Sequence, residues 1–311
     1  MIRGAVTAAL DRIARFTRGE TLLGAPLAQR TAIRVGGPAD LLVRPADPDD
    51  LVGVLAACRE LALPVFVLGG GANLLVADRG IRGVVLRLPP WLGAETVSAE
   101  RLVVSAGAAT NRLVGRAQKL GLVGCEFLAG IPGTLGGNVA MNAGTRIGEM
   151  KDVVRRVELA TAEGVGWIPA AALEFAYRTA RLPPGSVVTR VEVELRPGDV
   201  AASAAAMRAD VEHRRSTQPL TQPTFGSTFR NPPGEYAGRL IEAVGLKGQR
   251  VGGAKWSEVH ANFIVNLGGA TARDVLTLIR TARRRVREAF GVVLEPEVRL
   301  AGEFSADEGV E

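Results

Sequence analysis

A run of three glycines between two apolar segments constrains this chain more than any other feature of its sequence. It lies in PVFVLGGGANLLVADRG, residues 64–80, where residues 65–68 and 74–76 are short and apolar. This pattern predicts a strand, a loop and a second strand. Glycines let the loop adopt positive φ, and successive N–H groups of such a turn can face an anion. We interpret it as a cofactor-binding loop; the alternative is a glycine-rich hairpin between two buried strands.

The residues after the glycines exclude two common phosphate-binding motifs. A Walker loop needs Lys and then Ser or Thr, whereas Ala72, Asn73 and Leu74 follow here. A Rossmann fingerprint opens a helix, whereas residues 74–76 favour a strand.

A second glycine-rich segment, AGIPGTLGGNVAMNAG, occupies residues 129–144 and carries no charged side chain. It is predicted to be a long loop, and it is too apolar for a disordered one. Two such loops could hold a diphosphate through backbone amides alone, without a cation. The alternative is two unrelated turns.

Composition narrows the class of protein. The chain has 311 residues, 47% of them hydrophobic, and a net charge of +6. Aromatic residues are 5%, and the main basic run, residues 280–287, has a helical pattern, so we expect a solvated face rather than a nucleic-acid site. Cys58 and Cys125 form no CxxC motif, and we recognise neither a secretory signal nor a membrane span, which predicts a cytoplasmic protein without a metal site.

The remaining pattern predicts an α+β protein with a boundary at Pro197-Gly198. Strands are expected at residues 39–44, 83–88, 101–106, 187–195, 251–253 and 262–266, with a hairpin at 156–169. Helices are expected from Asp47-Pro48 to Leu61, from a Thr110 cap to a stop at Gly121, and at residues 200–215, 235–244 and 271–290.

Three further motifs contain residue types suited to a reactive site: FAYR at residues 175–178, FGSTFRNP at 225–232 and LEPEVRLAG at 294–302. Singly, Arg178 reads as a surface cation, Ser227 as a turn hydroxyl and Glu297 as a strand-end carboxylate. In this order with the two glycine segments, they closely resemble the UDP-N-acetylenolpyruvoylglucosamine reductase family over roughly residues 21–303. The resemblance is to the shorter type, which lacks a tyrosine-bearing insertion.

The resemblance implies a two-lobed FAD-binding domain of the vanillyl-alcohol-oxidase (PCMH) kind and a C-terminal α+β substrate-binding domain. The implied ranges are an N-terminal extension at 1–20, lobes at about 21–90 and 91–198, the C-terminal domain at 199–303 and an acidic tail at 304–311. FAD would be non-covalent, since neither glycine loop contains histidine. NADPH would be the electron donor, and UDP-N-acetylglucosamine enolpyruvate would be reduced to UDP-N-acetylmuramate for peptidoglycan. No obligate protein partner and no membrane insertion are expected.

The resemblance also implies residue roles. Arg178 and Glu297 would stabilise the charge that develops on the substrate carboxylate, and Ser227 would protonate the α-carbon. Substrate contacts are implied for Tyr177, Arg214, Asn231 and Lys247. Cofactor contacts are implied for Gly69, Gly70, Gly71, Ala72, Asn73, Leu74, Gly130, Ile131, Pro132, Gly133, Gly137, Asn138, Asn142 and Gly144.

The sequence departs from the family pattern at three positions. Ala72 replaces a usual serine, Ala176 replaces a usual glycine, and Thr217 stands where a lysine is common. Arg214, Arg215 or Arg230 could compensate for the missing lysine near a diphosphate.

Two other functions remain compatible with the loops. A different flavin oxidoreductase on the same fold would oxidise a small alcohol or hydroxy acid, and the three reactive-site motifs are what separate it from the reductase. A non-enzymatic nucleotide or nucleic-acid binder would use the positive charge without redox chemistry, and the purified protein would then be colourless.

Overall fold

The computed structural model describes residues 2–91, 95–96 and 98–304. Its helices are α1 (Ile2–Phe16), α2 (Pro48–Glu60), α3 (Thr110–Lys119), α4 (Leu135–Ala140), α5 (Met150–Val153), α6 (Val200–Thr217), α7 (Ala237–Ala243) and α8 (Ala272–Phe290). Short 3-10 helices lie at Ala28–Arg30, Glu126–Leu128 and Ala170–Leu173.

The strands are mostly short. They are β1 (Glu20–Pro26), β2 (Pro38–Arg44), β3 (Val65–Val67), β4 (Leu74–Val76), β5 (Ile81–Leu86), β6 (Glu95–Thr96), β7 (Arg101–Ser105), β8 (Leu122–Val123), β9 (Gly144–Thr145), β10 (Gly148–Glu149), β11 (Val154–Thr161), β12 (Gly164–Pro169), β13 (Val187–Glu194), β14 (Arg196–Pro197), β15 (Thr224–Ser227), β16 (Arg250–Val251), β17 (Ala254–Trp256), β18 (Phe263–Asn266) and β19 (Arg299–Ala301).

The first glycine run connects strands of two different sheets. β3 is the edge of the sheet β1-β2-β5-β3 and pairs parallel with β5, whereas β4 pairs parallel with β19. The predicted strand, loop and strand are therefore confirmed. The hairpin alternative is wrong, because β3 and β4 do not pair with each other.

Helix α2 shows how the sequence sets an element's bounds. Asp47 is its N-cap, and the Asp47 side chain accepts a hydrogen bond from the Asp50 N–H at 2.8 Å. Pro48 follows at the first helical position, which favours proline because its missing N–H would have no partner there. Leu51 and Val54 are buried, as the predicted spacing requires.

The chain forms two compact units, of which the first comprises residues up to 23, 41–70 and 83–212. Its main sheet has the order β12-β11-β13-β7-β6, in which each strand is antiparallel to its neighbours. The β11–β12 pair confirms the predicted hairpin. Leu113 of α3 and Leu135 of α4 are fully buried in the same core as Val157 and Val191 of this sheet.

The second unit comprises residues 24–40, 71–82 and those from 213 onward. Its sheet has the order β15-β18-β17-β16, and Trp256 and Phe229 stack in its core with ring centroids 6.2 Å apart. Helix α8 is capped twice at its start: Thr271 and Asp274 form a capping box, and Asp78 accepts hydrogen bonds from the N–H groups of the first two helical residues at 2.8 and 3.2 Å.

Three local predictions are wrong. Residues 129–144 are not a loop throughout, because α4 lies within them. Thr110 is the first residue of α3 rather than its cap, and its hydroxyl donates to the Gly133 carbonyl at 3.3 Å. Residues 251–253 do not form a strand, because the chain turns at residues 252–253, between β16 and β17.

Within the described residues, no helix combines the length and the apolarity needed to cross a membrane. The predicted acidic tail at 304–311 lies outside the described residues, except for Phe304.

Candidate functional site

The two glycine segments lie in direct contact within the first unit. A Cβ atom on Gly69 would lie 2.7 Å from the Thr134 hydroxyl oxygen, and one on Gly70 would lie 2.6 Å from the Gly133 Cα. Real side chains do not tolerate such distances, so glycine is required here for close approach of the two segments. The structure thus brings together the two loops that the sequence predicts to act together.

The second segment is held by the chain that precedes α3. Leu135 N–H donates to the Ala108 carbonyl and Gly136 N–H donates to the Ala106 carbonyl, both at 2.9 Å. The buried side chain of Asn138 donates through Nδ2 to the Thr110 hydroxyl at 2.7 Å. One predicted cofactor contact, Asn138, therefore also fixes its own loop.

The backbone around the first glycines suits a diphosphate. Among the described residues, the N–H groups of Gly69 and Gly70 donate no hydrogen bond to any other residue. Successive free amides are the donors that an anion-binding turn presents. The absence of a side chain at Gly70 leaves the turn narrow enough to touch Gly133. Both features fit the diphosphate of a dinucleotide cofactor such as FAD.

The end of the first loop belongs to the second unit and is fixed by its neighbours there. Gly71 has a φ of +63°, and its carbonyl accepts from the Ala32 N–H at 2.9 Å. Asn73 Nδ2 donates to the Glu297 carbonyl at 3.0 Å, and the Asn73 carbonyl accepts from the Arg299 N–H at 3.2 Å. Asn73 therefore positions the segment that carries Glu297.

Ser227 and Glu297 lie on adjoining segments of the second unit. The Glu297 N–H donates at 2.8 Å to the carbonyl of Thr228, the residue after Ser227. Ser227 itself follows a register shift in the β15–β18 pair, where Gly226 has a φ of +86°. Such a bulge re-aims the side chain that follows it. Two of the three predicted catalytic residues are thus brought together.

Asn262 is a positioning residue that the sequence reasoning missed. Its side chain is buried, and it accepts from the Phe229 N–H at 3.0 Å and donates to the Phe229 carbonyl at 2.8 Å. The Asn262 carbonyl also accepts from the Thr228 N–H at 2.8 Å. Asn262 therefore holds the segment directly after Ser227. The only sequence signal for it is an asparagine directly before the apolar run 263–265.

Arg178 lies in the first unit on a tight turn. The N–H and carbonyl groups of Ala176 and Thr179 pair reciprocally at 3.0 and 3.2 Å, and Arg178 between them has a φ of +57°. Its Nη1 donates to the Gly144 carbonyl at 2.8 Å, and its guanidinium carbon lies 5.3 Å from the centre of the Tyr177 ring. Ala176 is not among the positive-φ residues, so the glycine usual at that position is not required here.

The predicted substrate contacts fall in both units. In the second unit, Asn231 is exposed, and its Oδ1 accepts from the Ala237 N–H at 3.1 Å at the start of α7. Lys247 Nζ donates to Glu242 at 3.0 Å. Burial, together with the charge of Lys247, lowers the pKa of His260. A histidine with a lowered pKa is neutral near pH 7 and leaves Lys247 as the local cation.

Arg214 and Thr217 both lie on α6. Thr217, which replaces the usual lysine, donates its hydroxyl to the His213 carbonyl at 2.7 Å. A threonine contributes no charge to a phosphate site, and two of the three predicted substitutes, Arg214 and Arg215, lie on the same helix.

Comparisons with known proteins agree on one family. Residues 39–166 match the model of a FAD binding domain, and residues 218–301 match that of the UDP-N-acetylenolpyruvoylglucosamine reductase C-terminal domain. The chain is 72% identical to the UDP-N-acetylenolpyruvoylglucosamine reductase of Anaeromyxobacter dehalogenans strain 2CP-C, over 96% of this chain and 91% of that one. It is 53% identical to the reductase of Myxococcus xanthus, over 97% and 98%.

A solved structure agrees with these matches. The crystal structure of the Thermus caldophilus reductase superposes with a TM-score of 0.78 at 41% identity, and the match covers 92% of this chain and all of that one. The α+β fold with a FAD-binding domain and a C-terminal domain of this kind is thereby confirmed. The predicted domain boundaries and the individual site residues stay predictions.

Proposed function

The chain belongs to the UDP-N-acetylenolpyruvoylglucosamine reductase family, and from that premise we propose which of its residues carry the reaction. The enzyme reduces the enolpyruvyl ether of UDP-N-acetylglucosamine enolpyruvate to UDP-N-acetylmuramate for peptidoglycan, with NADPH as reductant. FAD, when bound, supplies the hydride that is added to the β-carbon of the enolpyruvyl group.

The FAD diphosphate is assigned to the backbone of the two glycine segments. The free N–H groups of Gly69 and Gly70 and the contact of Gly70 with Gly133 support this assignment. It needs no cation, since oriented amides alone present positive partial charges. The other predicted cofactor contacts are Gly71, Ala72, Asn73, Leu74, Gly130, Ile131, Pro132, Gly137, Asn138, Asn142 and Gly144.

Arg178 is assigned to the carboxylate of the enolpyruvyl group. Addition of hydride to the β-carbon pushes negative charge onto that carboxylate, and a guanidinium can meet it with two parallel hydrogen bonds. Glu297 is assigned to the same carboxylate as a hydrogen-bond donor, a role in which it carries a proton. Preorganised donors of this kind stabilise charge that develops in the transition state.

Ser227 is assigned as the acid that protonates the α-carbon. The observation that carries the assignment is the backbone bond from Glu297 to the residue after Ser227, together with the Gly226 bulge. These features hold a hydroxyl and a carboxyl on adjoining segments. A positioned proton donor typically contributes about 10²–10⁴-fold to the rate.

The substrate's phosphates are assigned to Asn231, Arg214 and Lys247, and Tyr177 is assigned a further substrate contact. The start of α7 fixes Asn231, and Lys247 is a cation on the same unit. We place the enzyme in the cytoplasm, where NADPH and nucleotide sugars are available; the free thiols of Cys58 and Cys125 are consistent with that compartment.

The test separates the two half-reactions by stopped-flow absorbance of the flavin. We expect Arg178→Ala and Glu297→Ala to slow reoxidation by the enolpyruvyl substrate and to leave reduction by NADPH within about twofold. Ser227→Ala should retain substrate binding and slow turnover by about 10²–10⁴-fold, and Ser227→Cys should recover part of the loss. Normal turnover of Ser227→Ala with an unchanged solvent isotope effect would mean that another group is the acid.

A further inference from the structure

Asn142 is the most constrained polar residue of the second glycine segment. Its exposed fraction is 0%, and its φ of +40° lies in the left-handed region that side chains disfavour. Its Nδ2 donates to Glu149 Oε2 at 2.9 Å and to the Ala176 carbonyl at 3.1 Å, and its Oδ1 accepts from the Lys151 N–H at 3.0 Å. Both amide protons and the amide oxygen are therefore used within the protein.

The Ala176 carbonyl that Asn142 holds is the start of the Arg178 turn. Arg178 also has a left-handed φ, +57°, and an arginine keeps such a conformation only where its surroundings impose it. Two residues after Asn142, the Gly144 carbonyl accepts from Arg178 Nη1 at 2.8 Å. The stretch from Asn142 to Gly144 thus fixes both the backbone of the turn and its guanidinium.

Glu149 contacts both Asn142 and Gly144. It lies opposite Gly144 in the β9–β10 pair, and its side chain forms a capping box with Asp152 at the start of α5. A Cβ atom on Gly144 would lie 2.8 Å from the Glu149 Cγ. Glu149 is therefore packed against Gly144 while its carboxylate orients the Asn142 amide.

We infer that Asn142, supported by Glu149, is a positioning residue for Arg178 and sets the direction in which the guanidinium meets the substrate carboxylate. Asn142 and Gly144 act in the second half-reaction through Arg178, rather than as contacts to the flavin. No other side chain of this size offers two donors and one acceptor in a plane, so asparagine is specific to this position. The inference rests on the role proposed above for Arg178.

The first test replaces Asn142 by glycine and by aspartate. Glycine tolerates the left-handed φ, so Asn142→Gly removes only the side-chain hydrogen bonds. Asn142→Asp keeps the shape but turns an oxygen toward the Glu149 carboxylate and the Ala176 carbonyl. We expect both to slow reoxidation by the enolpyruvyl substrate about 10–100-fold, because a small misplacement of a catalytic group has effects of that size.

Reduction by NADPH and the Kd for FAD, measured by titrating apoprotein with FAD and following flavin fluorescence, should stay within about twofold of wild type for both Asn142 variants. A raised Kd for FAD with normal reoxidation would overturn the inference and make Asn142 a flavin contact.

A double-mutant cycle with Arg178→Ala tests whether Asn142 acts through Arg178. If it does, Asn142→Gly should slow reoxidation no further in the Arg178→Ala background. If the rate losses of the two single variants multiply in the double variant, the inference is overturned. If Arg178→Ala alone has no effect, the proposed role of Arg178 fails. If Arg178→Ala slows reoxidation and Asn142→Gly leaves its rate normal, only the positioning role of Asn142 fails.

A matched pair at Glu149 keeps the inference testable if the Asn142 variants fold poorly. Glu149→Gln retains an oxygen that can accept from Asn142 Nδ2, and Glu149→Ala removes it. We expect reoxidation to be near normal in the first variant and slowed in the second. Asp78→Ala, which removes a cap of α8 in the other unit, controls for lost stability, and should slow neither half-reaction selectively.

Discussion

Replacement of Asp50 by alanine should destabilise the fold by about 3–5 kcal/mol. The Asp50 side chain is 5% exposed, and its Oδ1 accepts from the Arg18 N–H at 3.1 Å. Its Oδ2 accepts from the Gly19 N–H at 3.1 Å and from the Ala46 N–H at 2.8 Å. One carboxylate therefore ties the start of α2 to residues 18–19 and fixes the residue before the N-cap, Ala46.

The magnitude follows from the three donors that alanine would leave without a partner. A buried N–H that loses its partner costs about 1–3 kcal/mol, which gives about 3–9 kcal/mol for three. Arg18 and Ala46 are exposed residues, so water can reach part of the space that the carboxylate leaves. The lower end of the range is therefore expected, about 3–5 kcal/mol.

Urea unfolding followed by tryptophan fluorescence measures this loss. Trp91 is a local reporter, because its Nε1 donates to the carbonyl of Pro45, next to Ala46, at 3.0 Å. Asp49→Ala is the matched control, since Asp49 is exposed in the same helical turn and should change the free energy of unfolding by less than about 0.5 kcal/mol. Similar effects of the two substitutions would refute the role assigned to the Asp50 carboxylate.

Three further outcomes are expected. Gly70→Ala should weaken FAD binding at least about tenfold in a fluorescence titration, because its Cβ would lie 2.6 Å from Gly133 Cα, whereas Gly115→Ala, with open space around it, should leave the Kd unchanged. Burial raises the pKa of Cys58 to about 11 and that of Cys125 to about 12, so both thiols stay protonated at pH 8 and should react with a thiol reagent only after unfolding; rapid labelling of the native protein would contradict this. Asp78→Ala should lower the free energy of unfolding by about 1 kcal/mol and Tm by about 2–4 °C, measured by thermal denaturation.

The glycine segments and the three reactive-site motifs were predictable because their chemistry is local. A glycine run after a short apolar strand limits the backbone whatever lies elsewhere in the chain. Helix bounds followed in the same way where a cap and its partner are close in sequence, as with Asp47 and Asp50 of α2. The family resemblance then implied residue roles that no single motif is specific enough to predict.

The failures came from partners that are distant in sequence. Threonine is a common N-cap residue, but the Thr110 hydroxyl donates to the Gly133 carbonyl and accepts from Asn138 Nδ2. The role inferred for Asn142 likewise rests on its bond to Ala176, 34 residues away, which the sequence does not indicate. Nothing in the sequence marks which buried amide faces a ligand and which faces its own chain.

The segment from Gly69 to Gly80 shows why a motif cannot be equated with a single function. Its first residues present free N–H groups and touch Gly133, which suits a diphosphate. From Asn73 onward the same motif is structural: Asn73 bonds the Glu297 carbonyl, β4 pairs with β19, and Asp78 caps α8. Because Asn73 bonds the segment that carries Glu297, a change at Asn73 should affect catalysis through the carboxyl group of Glu297 rather than through FAD affinity. Asn73→Ala should therefore slow reoxidation by the enolpyruvyl substrate more than it raises the Kd for FAD, and the opposite ratio would place Asn73 with the cofactor contacts.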